Sequence, residues 1–235
     1  MVEQPHNMIK NLILLTLITT GLCSCGPTGK SKPDQVSIDL ETVDSIAVNR
    51  NLEASKAEKG ERQNIDTEFK YADSAGKDVI IQNSLPKGGS YTNPTGNRFG
   101  YGIFWTRVIN ETDAPFELTV NFPADSFTII PQHDSYLKLF LPPGKMTPDK
   151  ESLYDYGATG LKTFMDTGLN KPTMLQKTIN PKEEHIFYTG MLLRVPNNGP
   201  VRTGLVLKEQ ELFYRISIAQ QLDSALIPCG QIIFK

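Results

Sequence analysis

Seven residues near the middle of the chain alternate without a break: Phe116, Leu118, Val120 and Phe122 are apolar, and Glu117, Thr119 and Asn121 between them are polar. A period of two places successive side chains on opposite faces of an extended backbone, so this stretch reads as a strand with one face buried. The rest of the second half follows the same grammar, with proline and glycine as punctuation. Strands are predicted over residues 99–109, 127–130, 136–141, 174–179, 186–195, 201–207, 212–219 and 231–234. A further strand over 78–82 opens the domain, with a weak one near 69–71. They stop at Pro131, at Pro142-Pro143-Gly144, before Asn180-Pro181 and at the turn cluster 196–200. Proline lacks the N–H that a ladder needs, which makes these hard breaks. Residues 99–109, F-G-Y-G-I-F-W-T-R-V-I, are apolar or aromatic on both parities, as suits a central strand covered on both faces.

The polar link 110–115 ends in Pro115, so 99–109 and 116–122 are expected to form a hairpin, as are 201–207 and 212–219. One helical turn is expected over about 147–156. Thr147 can cap it, Pro148 suits the first helical position, and Asp149 and Glu151 favour the positive helix end. That turn reads as an insertion rather than a core layer. Residues 157–170, with Leu161, Phe164 and Met165, read either as a short helix or as a loop packed on a sheet edge. About nine short strands imply a mainly all-β fold, a single antiparallel β-sandwich. The phrase R-V-I-N-E-T-D-A-P-F-E-L-T-V, residues 107–120, resembles the strand–turn–strand of Ig-like sandwiches in exported bacterial proteins, without the Cys…Trp…Cys of true immunoglobulin domains.

The N-terminus carries a different signal. Lys10 and Asn11 precede an apolar run over residues 12–22. Secretory apolar regions are roughly 7–15 residues long, whereas a spanning helix needs about 20. Met8 also serves as a start, giving the compact positive segment M-I-K-N. The run ends in Leu22-Cys23-Ser24-Cys25, which resembles the lipobox of bacterial lipoproteins. The resemblance implies cleavage after Ser24 and a lipid on Cys25; with Cys23 as acceptor, Leu22 would occupy the position that takes a small residue. The expected organisation is a signal peptide over 1–24, a lipidated cysteine and flexible linker over 25–64, and a β-sandwich domain over 65–235. The linker after Cys25 has no Phe, Tyr or Trp and is rich in Lys, Glu, Asp, Ser and Asn, so it cannot offset its ordering entropy. As a flexible chain it spans roughly 35 Å, enough to lift a domain clear of the headgroups. Gly26-Pro27-Thr28-Gly29-Lys30-Ser31 imitates a phosphate loop, but Ser24 stands where the opening glycine belongs and no strand precedes it. It reads as plain tether. The resemblance, with Gly26 after the lipid cysteine and no acidic cluster there, implies an outer-membrane position facing the periplasm.

Net charge at neutral pH is −2 and stays so without residues 1–24, which hold one acid, Glu3, and one base, Lys10. That balance gives no footprint for nucleic acid. Only Cys25 and Cys229 remain after cleavage, so no internal disulfide is expected, and Cys229 reads as a small buried apolar residue. The fold must stand on its own hydrophobic core, which about 170 residues can build.

No stretch supplies a catalytic or metal motif. His133 and His185 each sit beside acids, but neither has a second histidine at metal-ligand spacing. There is no G-x-S-x-G elbow. Glu151, Asp155, Glu183 and Glu184 are possible paired carboxylates, with nothing to separate them from solvated acids. Two aromatic clusters offer ligand contacts: Tyr91, Tyr101 and Trp105, with Phe99 and Phe104, then Tyr136 and Tyr154, with Tyr156. Trp105 equally reads as a packing anchor. The Gly-rich stretch 87–96 reads as a long loop of the kind that carries binding. Asp44-Ser45-Ile46, Asp73-Ser74-Ala75 and Asp223-Ser224-Ala225 resemble an O-glycosylation tripeptide of envelope proteins. The expected function is that of a lipid-anchored, non-enzymatic envelope protein whose sandwich binds or scaffolds a protein or glycan, with no cofactor. The alternatives are an envelope hydrolase or metal-dependent enzyme using His133 or His185, and an accessory subunit that docks through an edge strand. Each buried acyl CH₂ contributes about 0.8 kcal/mol, so two or more chains on Cys25 anchor durably. Mass spectrometry is expected to find Cys25 acylated at the mature N-terminus, and Cys25→Ser to move the protein from the membrane to the soluble fraction.

Overall fold

The computed structural model describes residues 64–128, 135–194, 199–219 and 222–235. They form two antiparallel sheets packed face to face. The first holds β1 (Ile65–Ala72), β2 (Asp78–Ser84), β4 (Arg98–Asn110), β8 (Glu184–Arg194) and β6 (Tyr136–Phe140) in that order, with β3 (Lys87–Thr92) also paired to β4. The second holds β7 (Thr173–Ile179), β5 (Phe116–Phe122), β11 (Leu222–Phe234), β10 (Glu211–Ile218) and β9 (Val201–Lys208). The antiparallel β-sandwich read from the alternation is the observed fold. Among the described residues no helix is long and apolar enough to cross a membrane.

The alternating residues of β5 all point inward: Phe116, Leu118, Val120 and Phe122 are buried and join the inter-sheet core with Phe104, Val108, Leu137, Phe187, Tyr214 and Ile216. Strand β4 is covered on both faces, as its two apolar parities require. Phe104 and Val108 enter that core, while Ile103 and Trp105 enter a second cluster on the outer face of the first sheet.

The helical insertion expected over about 147–156 is present, and of the two readings of 157–170 the short helix is the observed one; both pack into that second cluster on the outer face of the first sheet rather than standing apart from the core. Tyr156, Leu161 and Met165 pack with Met146 on Trp105, Tyr188, Phe140 and Leu192. Residues Leu161–Thr167 are a helix, α1, and Pro148–Lys150 and Tyr154–Gly157 are short 3₁₀ turns.

Three further expectations are corrected. Residues 99–109 and 116–122 do not pair as a hairpin: β4 and β5 lie in opposite sheets. The link between them is an inter-sheet corner built on Asn110, which is fully buried. Its Nδ2 donates to the carbonyls of Ala114 (2.9 Å) and Ile179 (3.0 Å), and its Oδ1 accepts from the Thr112 hydroxyl (2.6 Å). The Gly-rich stretch is a strand, not a loop: Lys87–Thr92 pairs with the first half of β4 around a short turn at residues 93–97. The last strand runs from Leu222, because Pro228-Cys229-Gly230 marks a register shift within β11 rather than its start. Gly230 lies so close to β5 that a Cβ would run into the Thr119 carbonyl oxygen. The predicted strand 127–130 lies partly outside the described residues; Phe127 itself makes a single antiparallel bridge to Leu137.

The sheet edges are managed differently. At β6, the Phe127 bridge and buried Lys138 cover the rim, the ammonium donating to the carbonyls of Pro123 (2.6 Å) and Asp125 (3.2 Å). Burial lowers its pKa to about 8. Strands β2 and β9 approach across the sandwich without a backbone ladder, and Asn83 joins them. Its Oδ1 accepts from the Leu205 N–H (2.8 Å) and its Nδ2 donates to the Leu205 carbonyl (3.1 Å). The remaining amide valences go to Thr106 and Thr67. Tyr71 then accepts from the Leu207 N–H at 3.0 Å. Strand β7 is an outer strand of the second sheet, guarded by Pro172 before it and by exposed Lys177, which pairs with core-facing Leu118.

Losing Asn83 strands the N–H and C=O of Leu205 and the Thr106 hydroxyl in the interior. Asn83→Leu is expected to cost about 3 kcal/mol, lowering Tm by roughly 6–12 °C. Gly204→Ala should destabilise through the same joint, because its Cβ would lie 2.9 Å from Asn83 Nδ2. Thermal and denaturant melts of both variants check this.

Candidate functional site

One corner of the outer face of the first sheet brings together two of the aromatic candidates. Strand β4 carries Tyr101, and β3 places Gly89 opposite it on the same face. The turn Tyr154–Gly157 lies over both. Asp155 and Tyr156 adopt left-handed φ angles of 47° and 54°, which cost a residue with a Cβ about 1–2 kcal/mol each. Packing offsets that cost. The Tyr156 ring is fully buried, edge-on to Trp105 with centroids 6.5 Å apart, and its hydroxyl donates to the Leu85 carbonyl at 2.6 Å. Tyr188 donates to the Tyr156 carbonyl at 2.6 Å. Lys87 donates to the carbonyls of Glu151 (2.6 Å) and Leu153 (2.9 Å), with its ammonium 4.2 Å above the Tyr156 ring. Arg107 adds an ion pair to Glu151 at 3.1 Å.

With the turn held in this way, Tyr156 points in and Tyr154 points out, 74% exposed beside Leu153 at 49%. The Tyr154 and Tyr101 hydroxyls are 3.3 Å apart, and Tyr101 donates to Asp155 Oδ2 at 2.7 Å. Asp155 is only 5% exposed, and its Oδ1 is buried with no hydrogen-bond partner among the described residues. Burial, then the bonds to Tyr154 and Asp155, push the Tyr101 phenol well above its ordinary pKa.

The other aromatic candidates lie elsewhere. Trp105 has no exposed surface and is the packing anchor that its run implied, so it presents nothing to a ligand. Tyr91 is buried, bonded to Asp166 at 2.8 Å, and stacks near Phe99, which also meets half-buried Tyr136 at 5.3 Å. Burial and the Asp166 carboxylate raise the Tyr91 pKa to about 12. Asp155 was a candidate only as half of a carboxylate pair; its bond to Tyr101 depends on the left-handed turn, which local sequence does not signal beyond Gly157. Leu153 was missed altogether.

The remaining acids and histidines are dispersed. Glu151 and Glu184 flank Arg107, and Glu183 accepts from the Asn180 side chain at 2.9 Å. His185 stacks on Phe187, and burial together with Lys177 and Lys145 lowers its pKa. His133 lies outside the described residues, as does Cys25. Among the described residues no group of three or more His, Cys, Asp or Glu side chains could hold a metal. Cys229 is buried, which pushes its thiol pKa up. Of the three glycosylation-like tripeptides, the first lies outside the described residues. The second forms the exposed β1–β2 turn, with Asp73 Oδ1 accepting from Ala75 and Lys77. The third places Ser224 within β11 with a buried hydroxyl, closed to a transferase. Compared with known protein families, curated proteins and solved structures, the chain matches none.

The raised phenols set an alkaline limit. Unfolded tyrosines titrate near pH 10, whereas burial raises Tyr71, Tyr91, Tyr101, Tyr136, Tyr156, Tyr188 and Tyr214 in the fold. A group raised by folding stabilises fully below its unfolded pKa and loses that contribution above it. Stability is therefore expected to fall from about pH 10 upward, with tyrosinate absorbance and loss of circular dichroism changing together. Full ionisation with the β signal intact would contradict this.

Proposed function

We propose that this chain is a lipid-anchored, non-enzymatic protein of the cell envelope, held by a lipid on Cys25, whose sandwich binds an envelope protein or glycan. The outer membrane, periplasmic side, is the location that the lipobox and the residues after it favour. The observation that carries the binding reading is the Leu153-Tyr154 corner. Large apolar side chains are costly to leave in water, and here two adjacent ones stand outward on a turn whose backbone is locked from below. Preorganised aromatic groups of this kind dominate interface energies.

The alternatives draw less support. His185 stacks on Phe187, and burial with the charges of Lys177 and Lys145 lowers its pKa, which disfavours a cation there. The edge-strand reading asked for an unguarded outer strand, and β7 carries Lys177 and is preceded by Pro172.

A photo-crosslinking amino acid at position 154 in intact cells is expected to capture a discrete envelope component, whereas the same probe at exposed Lys70 on β1 is not. Identical capture at both positions, or none at 154, would overturn the reading.

A further inference from the structure

Resting on the reading of this corner as the binding site, we infer that Asp155, with Tyr101 and Tyr154, receives a lysine side chain from a protein partner. Among the described residues, Asp155 at 5% exposure forms no ion pair, and its Oδ1 has no donor. A buried charge without its opposite is costly, and the basic groups of this corner are committed elsewhere: Lys87 to two carbonyls, Arg107 to Glu151 and Glu184. The missing element is a positive charge.

The surroundings select its form. The Tyr101 hydroxyl donates to Asp155 Oδ2 and lies 3.3 Å from the Tyr154 hydroxyl, so two phenol oxygens stand beside the carboxylate to accept from a three-donor ammonium. Asp155 Oδ1 is buried, whereas Tyr154 next to it is 74% exposed. A slender chain with its charge at the tip suits so buried an oxygen better than a bulky group does, and a lysine's four methylenes can lie against the exposed Tyr154 ring. An amino group set directly on a sugar ring cannot reach that depth. Exposed Leu153 beside the entrance adds an apolar contact of the kind protein interfaces supply.

The test is an NMR titration of the full-length lipidated chain in nonionic detergent with Nα-acetyl-lysine methylamide. The norleucine analogue, of the same shape without the charge, and glucosamine serve as comparisons. The lysine probe is expected to shift residues 101 and 153–155 saturably, with norleucine and glucosamine giving no saturable shift. Asp155→Asn should weaken the lysine probe about tenfold or more. Asparagine keeps an acceptor for Tyr101 and tolerates left-handed φ, so this variant folds, and near-ultraviolet circular dichroism verifies that. No saturable response to the lysine probe, an equal response to norleucine or glucosamine, or an unchanged affinity in Asp155→Asn overturns the inference. Capture from position 154 together with any of those results leaves the partner reading standing and removes only the lysine.

Discussion

The sandwich depends on one side-chain amide standing in for a strand. Where β2 and β9 face each other, neither backbone reaches the other, and an open interior edge would leave the Leu205 N–H and C=O without partners. Buried backbone groups left unpaired each cost on the order of 1–3 kcal/mol. The Asn83 amide presents a donor and an acceptor in the geometry of a peptide group, and its two other valences go to Thr67 and Thr106 on the neighbouring strands. Gly204 makes the approach possible by omitting a side chain. The same joint orders the end of the first sheet, since β1 then crosses toward β9 with Tyr71 bonded to Leu207 and Asp66 paired with Arg202 at 3.6 Å.

The corner proposed as a binding site follows from how the first sheet is covered. Its inner face meets the second sheet and its outer face meets the helical layer, so β4 and β8 are packed on both sides. A layer folded over a sheet must enter and leave it, and the 3₁₀ turn over Tyr101 lies in the approach to α1. Two left-handed residues send Tyr156 down into the cluster and Tyr154 up into water. The strain is local and the compensation is distributed among Leu85, Lys87, Trp105 and Tyr188. Rigidity at the corner is thus a by-product of core packing, and it gives the exposed ring a fixed base.

Alternation in 116–122 announced β5 and its buried face correctly, and the double parity of 99–109 announced a strand covered on both sides. The same residues misled about connectivity. A strand, a polar link ending in proline and a second strand look alike whether the chain turns back or crosses to another sheet. What decides is Asn110, whose bond to the Ile179 carbonyl lies 69 residues away along the chain. Glycines in 87–92 looked like a loop because low side-chain volume has two uses, and here it serves close pairing with β4. Among the site candidates, Tyr101 and Tyr154 were named and do meet, while Trp105 and Tyr91 were named for the same aromatic character and are buried.

Sequence by itself determined that the fold is mainly β, the one-sided burial of β5 and the two-sided burial of β4, because hydrophobic period acts over a few residues. Only tertiary structure decided which sheet each strand joins, that residues 147–170 form a layer, and that Asp155 lies beneath Tyr101 and Tyr154. Period records that a face is buried but not against what; the partner is chosen by contacts between residues far apart in the chain, where amide bonds, ring packing and left-handed backbone are settled together.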